Sequence, residues 1–184
     1  MNLWTKLAEF AFIETEHLVL RPFSFMDSED FYKIASNPEN LRFIFPVQAN
    51  LQESQHVLAN YFMKHPLGIW AICCDKASEK MIGSIKFEKI DEIKGEAELG
   101  YFLRHDYWGH GLMTECVKNI VYLAFTQFDL KRLYIITHLE NKASQRVAEK
   151  TGFSCRRQFK GSDRYTRKMR DYLEFCYEKG DFHE

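Results

Sequence analysis

Tyr107-Trp108-Gly109-His110-Gly111-Leu112-Met113-Thr114-Glu115 is the stretch on which the fold turns. A β-like run, Glu96 to Leu103, precedes it. A helical run, Gly111 to Phe128, follows, with Leu112, Cys116, Ile120, Leu123 and Phe125 near one face. Two glycines one residue apart let the backbone turn sharply and bring its N–H groups close to a ligand. The helix adds unpaired N–H groups and the positive end of its dipole. Together they suit a pyrophosphate or a similar anion, with His110 as an extra donor that need not be charged. On turn chemistry alone the same residues also describe a plain tight turn. Neither of two better-known phosphate loops is present. A GxxxxGK followed by Ser or Thr is missing, and the dinucleotide fingerprint needs a third glycine in the first strand–loop–helix, whereas about five elements come before this one.

Working outward, His17 to Phe23 reads as a strand stopped by Pro22. Asp27, with Asp30 three residues on, is a candidate N-cap for a helix through Ser36. Leu51 to Lys64 repeats apolar residues at Val57, Leu58, Tyr61 and Phe62, a helical spacing. Ile69 to Cys74 and Met81 to Ile90 form a hairpin across the turn-rich Asp75 to Glu79. Beyond the central helix come a strand, Arg132 to Thr137, and a helix, Asn141 to Lys150, that ends at Thr151-Gly152. Strands at Phe153–Phe159 and Lys168–Tyr177 complete the chain. This order predicts an α/β domain of the α+β type, with a mixed, mostly antiparallel central sheet flanked by helices.

Composition bounds the function. Of 184 residues 46% are hydrophobic and 16 are Phe, enough for a sizeable core. With no linker, repeat or low-complexity tract, one domain over residues 1–184 is expected. A formal charge of −1 with both signs mixed argues against bulk attraction to nucleic acid or an anionic membrane. Cys73, Cys74, Cys116, Cys155 and Cys176 lack zinc spacing, so no metal is expected. Absence of a signal-peptide pattern and of a bilayer-length apolar run points to a cytoplasmic, reducing setting. Apolar edge strands leave room for either a monomer or a homodimer.

Downstream of the glycine turn run Arg132-Leu-Tyr-Ile-Ile-Thr137, Asn141-Lys-Ala-Ser144 and Glu149-Lys-Thr-Gly-Phe153. This ordered set, from about Leu18 to Tyr177, resembles the GNAT superfamily of acyl-CoA N-acyltransferases, and within it the branch of ribosomal-protein N-terminal acetyltransferases. The resemblance implies a sheet splayed into a V between strands 96–103 and 132–137, with acetyl-CoA as co-substrate. Its pantetheine arm would pair with backbone at Phe102 and Leu103. Its pyrophosphate would lie on Trp108 and on the amides of Gly109, His110, Gly111, Leu112 and Met113, and Asn141 would help hold the pantetheine. Two positions depart from the superfamily pattern. Asp106 stands where Gln or Arg is usual and reads as a turn or capping residue. Ala148 stands where a general-acid Tyr is common.

Acetyl transfer to nitrogen needs a neutral amine, a polarised carbonyl and a proton for the thiolate. Backbone donors and proximity supply much of this. An α-amino group with a pKa of about 8 is roughly a tenth neutral at pH 7, whereas a lysine is neutral in roughly one molecule in a few thousand. A peptide N-terminus therefore needs only a weak base. Candidate bases are Glu98, which alternation places on one face with Glu96, and Asp163, whose position matches a glutamate suspected as base in the ribosomal branch. Ser144, in the first turn of its helix, is the candidate acid in place of the missing Tyr. It also suits a helix-end role.

Arg156, Arg157, Lys160, Arg164, Arg167, Lys168 and Arg170 form a basic stretch around Asp163. It reads as a solvated face or as a surface for an acidic or phosphate-bearing acceptor. Tyr165 gives little of the aromatic interleaving that single-strand recognition needs, so nucleic acid is not expected as a partner. Trp70, Phe43, Phe45 and Tyr101 suit either an acceptor pocket or the core. The expected activity is acetylation of a peptide or protein N-terminus. The alternatives are a small amine such as a polyamine, antibiotic or amino acid, and a non-catalytic acyl-CoA-binding module.

Overall fold

Apolar residues alternating with polar ones build one mixed, eight-stranded sheet in the computed structural model, which describes residues 2–41, 43–74 and 79–183. In chain order the elements are α1 (Leu3–Glu9), β1 (Ile13–Glu14), β2 (Val19–Arg21), α2 (Ser28–Ala35), α3 (Pro38–Leu41), α4 (Leu51–Val57), β3 (Ile69–Cys73), β4 (Met81–Asp91), β5 (Glu96–Leu103), α5 (Leu112–Thr126), β6 (Arg132–His138), α6 (Lys142–Lys150), β7 (Ser154–Ser162) and β8 (Met169–Glu178). The strand order is β1-β2-β3-β4-β5-β6-β8-β7, so the expected α/β class with a mixed, mostly antiparallel sheet is the observed one. Most of the expected turn at Asp75–Glu79 lies outside the described residues. No helix among the described residues is long and apolar enough to cross a membrane.

Two compact units arise. The first holds the chain up to Lys86 together with Tyr101–Leu112. Phe23, Phe31, Phe62 and Phe102 fill it, with the Phe31 ring centroid 5.3 Å from that of Phe62 and 6.4 Å from that of Phe102. Truncating the fully buried Phe31 to Ala would cost about 3–5 kcal/mol. A methyl at Gly83 would run into the Phe102 carbonyl, so only glycine admits that approach. Asp27 stands at the N-cap position of α2 as expected, but its side chain makes no capping bond there; it accepts from the Ser24 N–H in the capping box of the turn that Ser24 opens. Buried Asp27 also accepts from both terminal nitrogens of Arg21, at 2.9 and 2.7 Å. The helix expected over 51–64 is α4 running into a wider π-helical turn, Leu58–Met63.

Phe87–Gly100 and the chain from Met113 onward form the second unit. α5 buries Met113, Cys116, Val117, Ile120, Val121 and Ala124, the apolar stripe expected. β6 alternates cleanly, with Leu133, Ile135 and Thr137 buried and Arg132, Tyr134, Ile136 and His138 half-buried on the other face. β5 and β6 run parallel, but their pairing covers only Glu96–Glu98 with Arg132–Tyr134. β8 lies antiparallel along the other edge of β6 for its whole length, to His138 opposite Tyr172. The outer strand β7 exposes Arg156, Arg157 and Lys160, so this edge is basic and not apolar as anticipated.

Candidate active site

Gly109 and Gly111 take φ values of 78° and 75°, the left-handed region that glycine enters without penalty. Around each, a Cβ would meet nothing within 4 Å, so the turn faces open space. The backbone N–H groups of Gly109 to Met113 have no acceptor among the described residues. A helix start whose donors have no acceptor among the described residues fits an anion such as a diphosphate. Trp108 braces the turn from behind, donating its indole N–H to the Leu103 carbonyl at 2.8 Å. His105 packs on the indole at 4.8 Å between centroids, and His110 is exposed. Asp106 does not cap α5. It sits in the short turn His105–Tyr107, and Arg104 donates to its carboxylate at 2.7 Å. Phe102 is buried in the aromatic cluster, and the Leu103 carbonyl is engaged by Trp108.

In the second unit the half-buried face of β5 and β6 carries the titratable groups. Glu98 and Tyr134 sit in register at the last paired position, so their side chains share that face. Lys89 Nζ lies 3.4 Å from the Glu98 carboxylate. From the β7–β8 loop, Arg164 donates to Glu88 of β4 at 3.2 Å, while β5 and β6 lie between those strands in the sheet. The loop therefore spans this face. Gly100 permits the span, since any side chain there would collide with Glu88.

Asp163 anchors the same loop. Its Oδ1 accepts from the N–H groups of Tyr165 and Thr166 and from the Thr166 hydroxyl, at 3.0, 2.7 and 2.9 Å. The Thr166 backbone bond leads in holding its pKa below the usual carboxylate range, against a partial burial. Its Oδ2 stands 3.6 Å from Nε2 of His138, whose side chain is 18% exposed. Burial pushes the His138 pKa down, Asp163 and Glu140 oppose this, and Arg170 adds to it. The imidazole also packs on Tyr172, 4.7 Å between centroids.

α6 closes the corner. Asn141 caps it, its side-chain oxygen accepting from the Ser144 N–H at 3.1 Å. The backbone carbonyl of His138 accepts from the Asn141 N–H at 2.9 Å and from the Gln145 amide at 3.2 Å, which ties the end of β6 to the start of α6. Ala148 is fully buried, so that position has no room for a phenol. Of the residues expected to do chemistry, Asp163, Ser144 and Asn141 thus converge near the end of β6, and Glu98 lies on the face that β6 shares. His138 and the Glu88–Arg164 pair escaped the sequence reading. The Tyr134, Ile136, His138 alternation carried the signal for His138, one residue past the expected strand end. Trp70, one of the aromatics considered for a pocket, is core, its indole donating to the Phe10 carbonyl at 2.9 Å.

Comparison with known proteins gives a consistent answer. The acetyltransferase (GNAT) domain family matches residues 17–154. The uncharacterized N-acetyltransferase YoaA of Bacillus subtilis is 27% identical over 149 residues, 78% of this chain and 83% of that one. The ribosomal-protein-serine acetyltransferase of Escherichia coli is 24% identical over 55% of this chain and 57% of its own. Spermidine N(1)-acetyltransferase of Escherichia coli is 27% identical over 73% and 72%. Among solved structures, RimL, a ribosomal L7/L12 α-N-protein acetyltransferase in complex with coenzyme A, superposes with a TM-score of 0.77 at 19% identity, covering 91% of this chain and 97% of that one. At that identity the likeness concerns the fold.

Proposed function

The chain belongs to the GNAT acetyltransferase family, and from that premise we propose that the amine it acetylates is the α-amine of a peptide or protein N-terminus. The observation that carries this reading is the charge state of the polar sheet face. Its carboxylates are paired with cations, Glu88 with Arg164, Glu96 with Arg132, Glu98 with Lys89 and Glu174 with Arg157, while Asp163 spends Oδ1 on three donors of its own loop. A polyamine brings two or more ammonium groups and calls for carboxylates without cations of their own. An α-amine near neutrality needs none.

In this reading the amides of Gly109 to Met113, braced by Trp108, hold the diphosphate of acetyl-CoA. The thioester arm runs beside β5 where its pairing with β6 has ended, with Phe102 and Leu103 at the far end of the strand. Asn141 spends its side-chain oxygen on the Ser144 N–H and keeps its amide N–H groups for the arm. Ser144 protonates the departing thiolate. Asp163, held by three donors, is a poor proton acceptor as it stands, and Glu98 is engaged by Lys89. An acceptor that is already partly neutral makes that shortfall tolerable.

Thiol release with acetyl-CoA tests the proposal on three acceptors: a peptide with a free α-amine, its Nα-blocked counterpart carrying a lysine, and spermidine. The free α-amine peptide should exceed both others at least tenfold in kcat/KM. A faster reaction with spermidine would overturn the acceptor assignment.

A further inference from the structure

The second unit contains an acid–base pair that its paired carboxylates leave out of account. We infer that the imidazole of His138, oriented by Asp163, accepts the proton that the acceptor amine loses during acetyl transfer. The inference deepens the proposed function and rests on its site, since it names the proton acceptor of that same reaction.

Position comes first. β6 ends at His138, on the half-buried face that also carries Tyr134 and Ile136, in the stretch where β5 has stopped pairing with it. Its backbone carbonyl is clamped by Asn141 and Gln145, which ties the end of β6 to the start of α6, the helix whose first turn holds Ser144. The sites for taking one proton and giving another are thus fixed to one corner. Tyr172 supports the ring from β8, and Asp163 supports it from the β7–β8 loop. At 3.6 Å the Asp163–His138 contact is an ion-pair distance, longer than a hydrogen bond, and it favours the imidazolium once formed. Asp163 itself is occupied. Three donors on Oδ1 hold its pKa down, which makes it a positioning residue and a weak base.

Chemistry agrees. Burial favours the neutral imidazole, the form that can accept a proton. The neutral amine attacks the acetyl carbonyl and a C–N bond forms, leaving the nitrogen cationic and far more acidic than the free ammonium. His138 takes one N–H proton from it, the C–S bond breaks, and the thiolate is protonated through Ser144. The imidazolium returns its proton to solvent and Ser144 regains one from solvent, so an N–H proton is exchanged for an S–H proton. An imidazole of this kind serves an α-amine, and it is too weak to deprotonate a lysine ammonium efficiently.

Charged groups that shift the ring in opposite directions supply the tests. Asp163 and Glu140 raise its pKa, and Arg170 lowers it. In a pH profile of kcat/KM on a free α-amine peptide, the amine's own titration near pH ~8 is common to all variants, and a second acid limb should lie below pH ~6.5. His138→Gln should lower kcat about 10²-fold or more and erase that limb, while acetyl-CoA affinity and Tm stay near wild type. Asp163→Asn should move the limb to lower pH and Arg170→Gln to higher pH. A limb that survives in His138→Gln, or one that fails to move oppositely in the other two, would overturn the inference. Should the wild type acetylate spermidine and not the peptide, the acceptor assignment falls, and the same limb is read on spermidine to judge His138 separately.

Discussion

In the proposed function the glycine turn and the polar sheet face solve different problems with different parts of the chain. At the turn the working groups are backbone N–H bonds of five consecutive residues, Gly109 to Met113, aimed by two positive φ values. On the sheet face they are side chains drawn from Glu88, Glu98, His138, Asp163 and Arg164, spread over 77 positions from first to last. A backbone site is tolerant of side-chain change and intolerant of an added Cβ in the wrong place. A side-chain site is the reverse. Anion grip and amine chemistry should therefore fail separately under mutation.

Gly111→Trp should give the largest effect. Its open surroundings admit the side chain, but that side chain then occupies the space over the free donors, and the positive φ costs about 1–2 kcal/mol of stability. Acetyl-CoA affinity, measured by calorimetric titration, should drop about 10³-fold, roughly 4 kcal/mol. An unchanged affinity would place the diphosphate elsewhere and dissolve the contrast between the two regions.

Ser144→Ala comes next and should fall wholly on the chemical side. Turnover should decrease about 10²-fold, the low end for a lost proton donor, with acetyl-CoA affinity changed less than about twofold. The Asn141 cap accepts from the Ser144 backbone, which alanine retains, so helix α6 keeps its start. Equal losses in turnover and affinity would show that Ser144 serves the binding of coenzyme A. A smaller effect is expected from Trp108→Phe, which keeps the ring and deletes the indole bond to the Leu103 carbonyl. Losing one such bond costs about 1 kcal/mol, so affinity should weaken about fivefold through a looser turn, with kcat almost unaffected.

These differences also explain what could be read from the sequence. Gly109 and Gly111 announce the turn because few residues other than glycine hold φ near 75° cheaply, and the helix after them is legible from its apolar stripe. The sheet class followed from strand periods. Ser24 was overlooked as a cap because Asp27 offered an equally good local signal, and only the Arg21 partner reveals that Asp27 is spoken for. The basic stretch around Asp163 looked like a solvated face. In three dimensions Arg164 crosses to β4, a pairing 76 residues away that no local pattern encodes. His138 fell outside because the strand was ended one residue early, where Thr137 is buried and the next residue returns to the other face.

Arg164→Gln is the finest probe of the span over the sheet face. Its ion pair with Glu88 is half exposed on the arginine side, so its deletion should cost under about 1 kcal/mol and barely move Tm. Asp163 would still hold the loop through Tyr165 and Thr166, which preserves the approach to His138. What changes is the tether at the far end: the ion pair between Arg164 and Glu88 is lost. The acceptor KM should therefore rise two- to threefold for a peptide, about 0.5 kcal/mol, with kcat and acetyl-CoA affinity unchanged. With one cation fewer beside it, the Glu88 carboxylate should also improve a diamine as acceptor, shifting preference in the direction opposite to the peptide's. Parallel changes for both amines would mean that the loop governs access alone, and that the pairing of carboxylates has no part in choosing the acceptor.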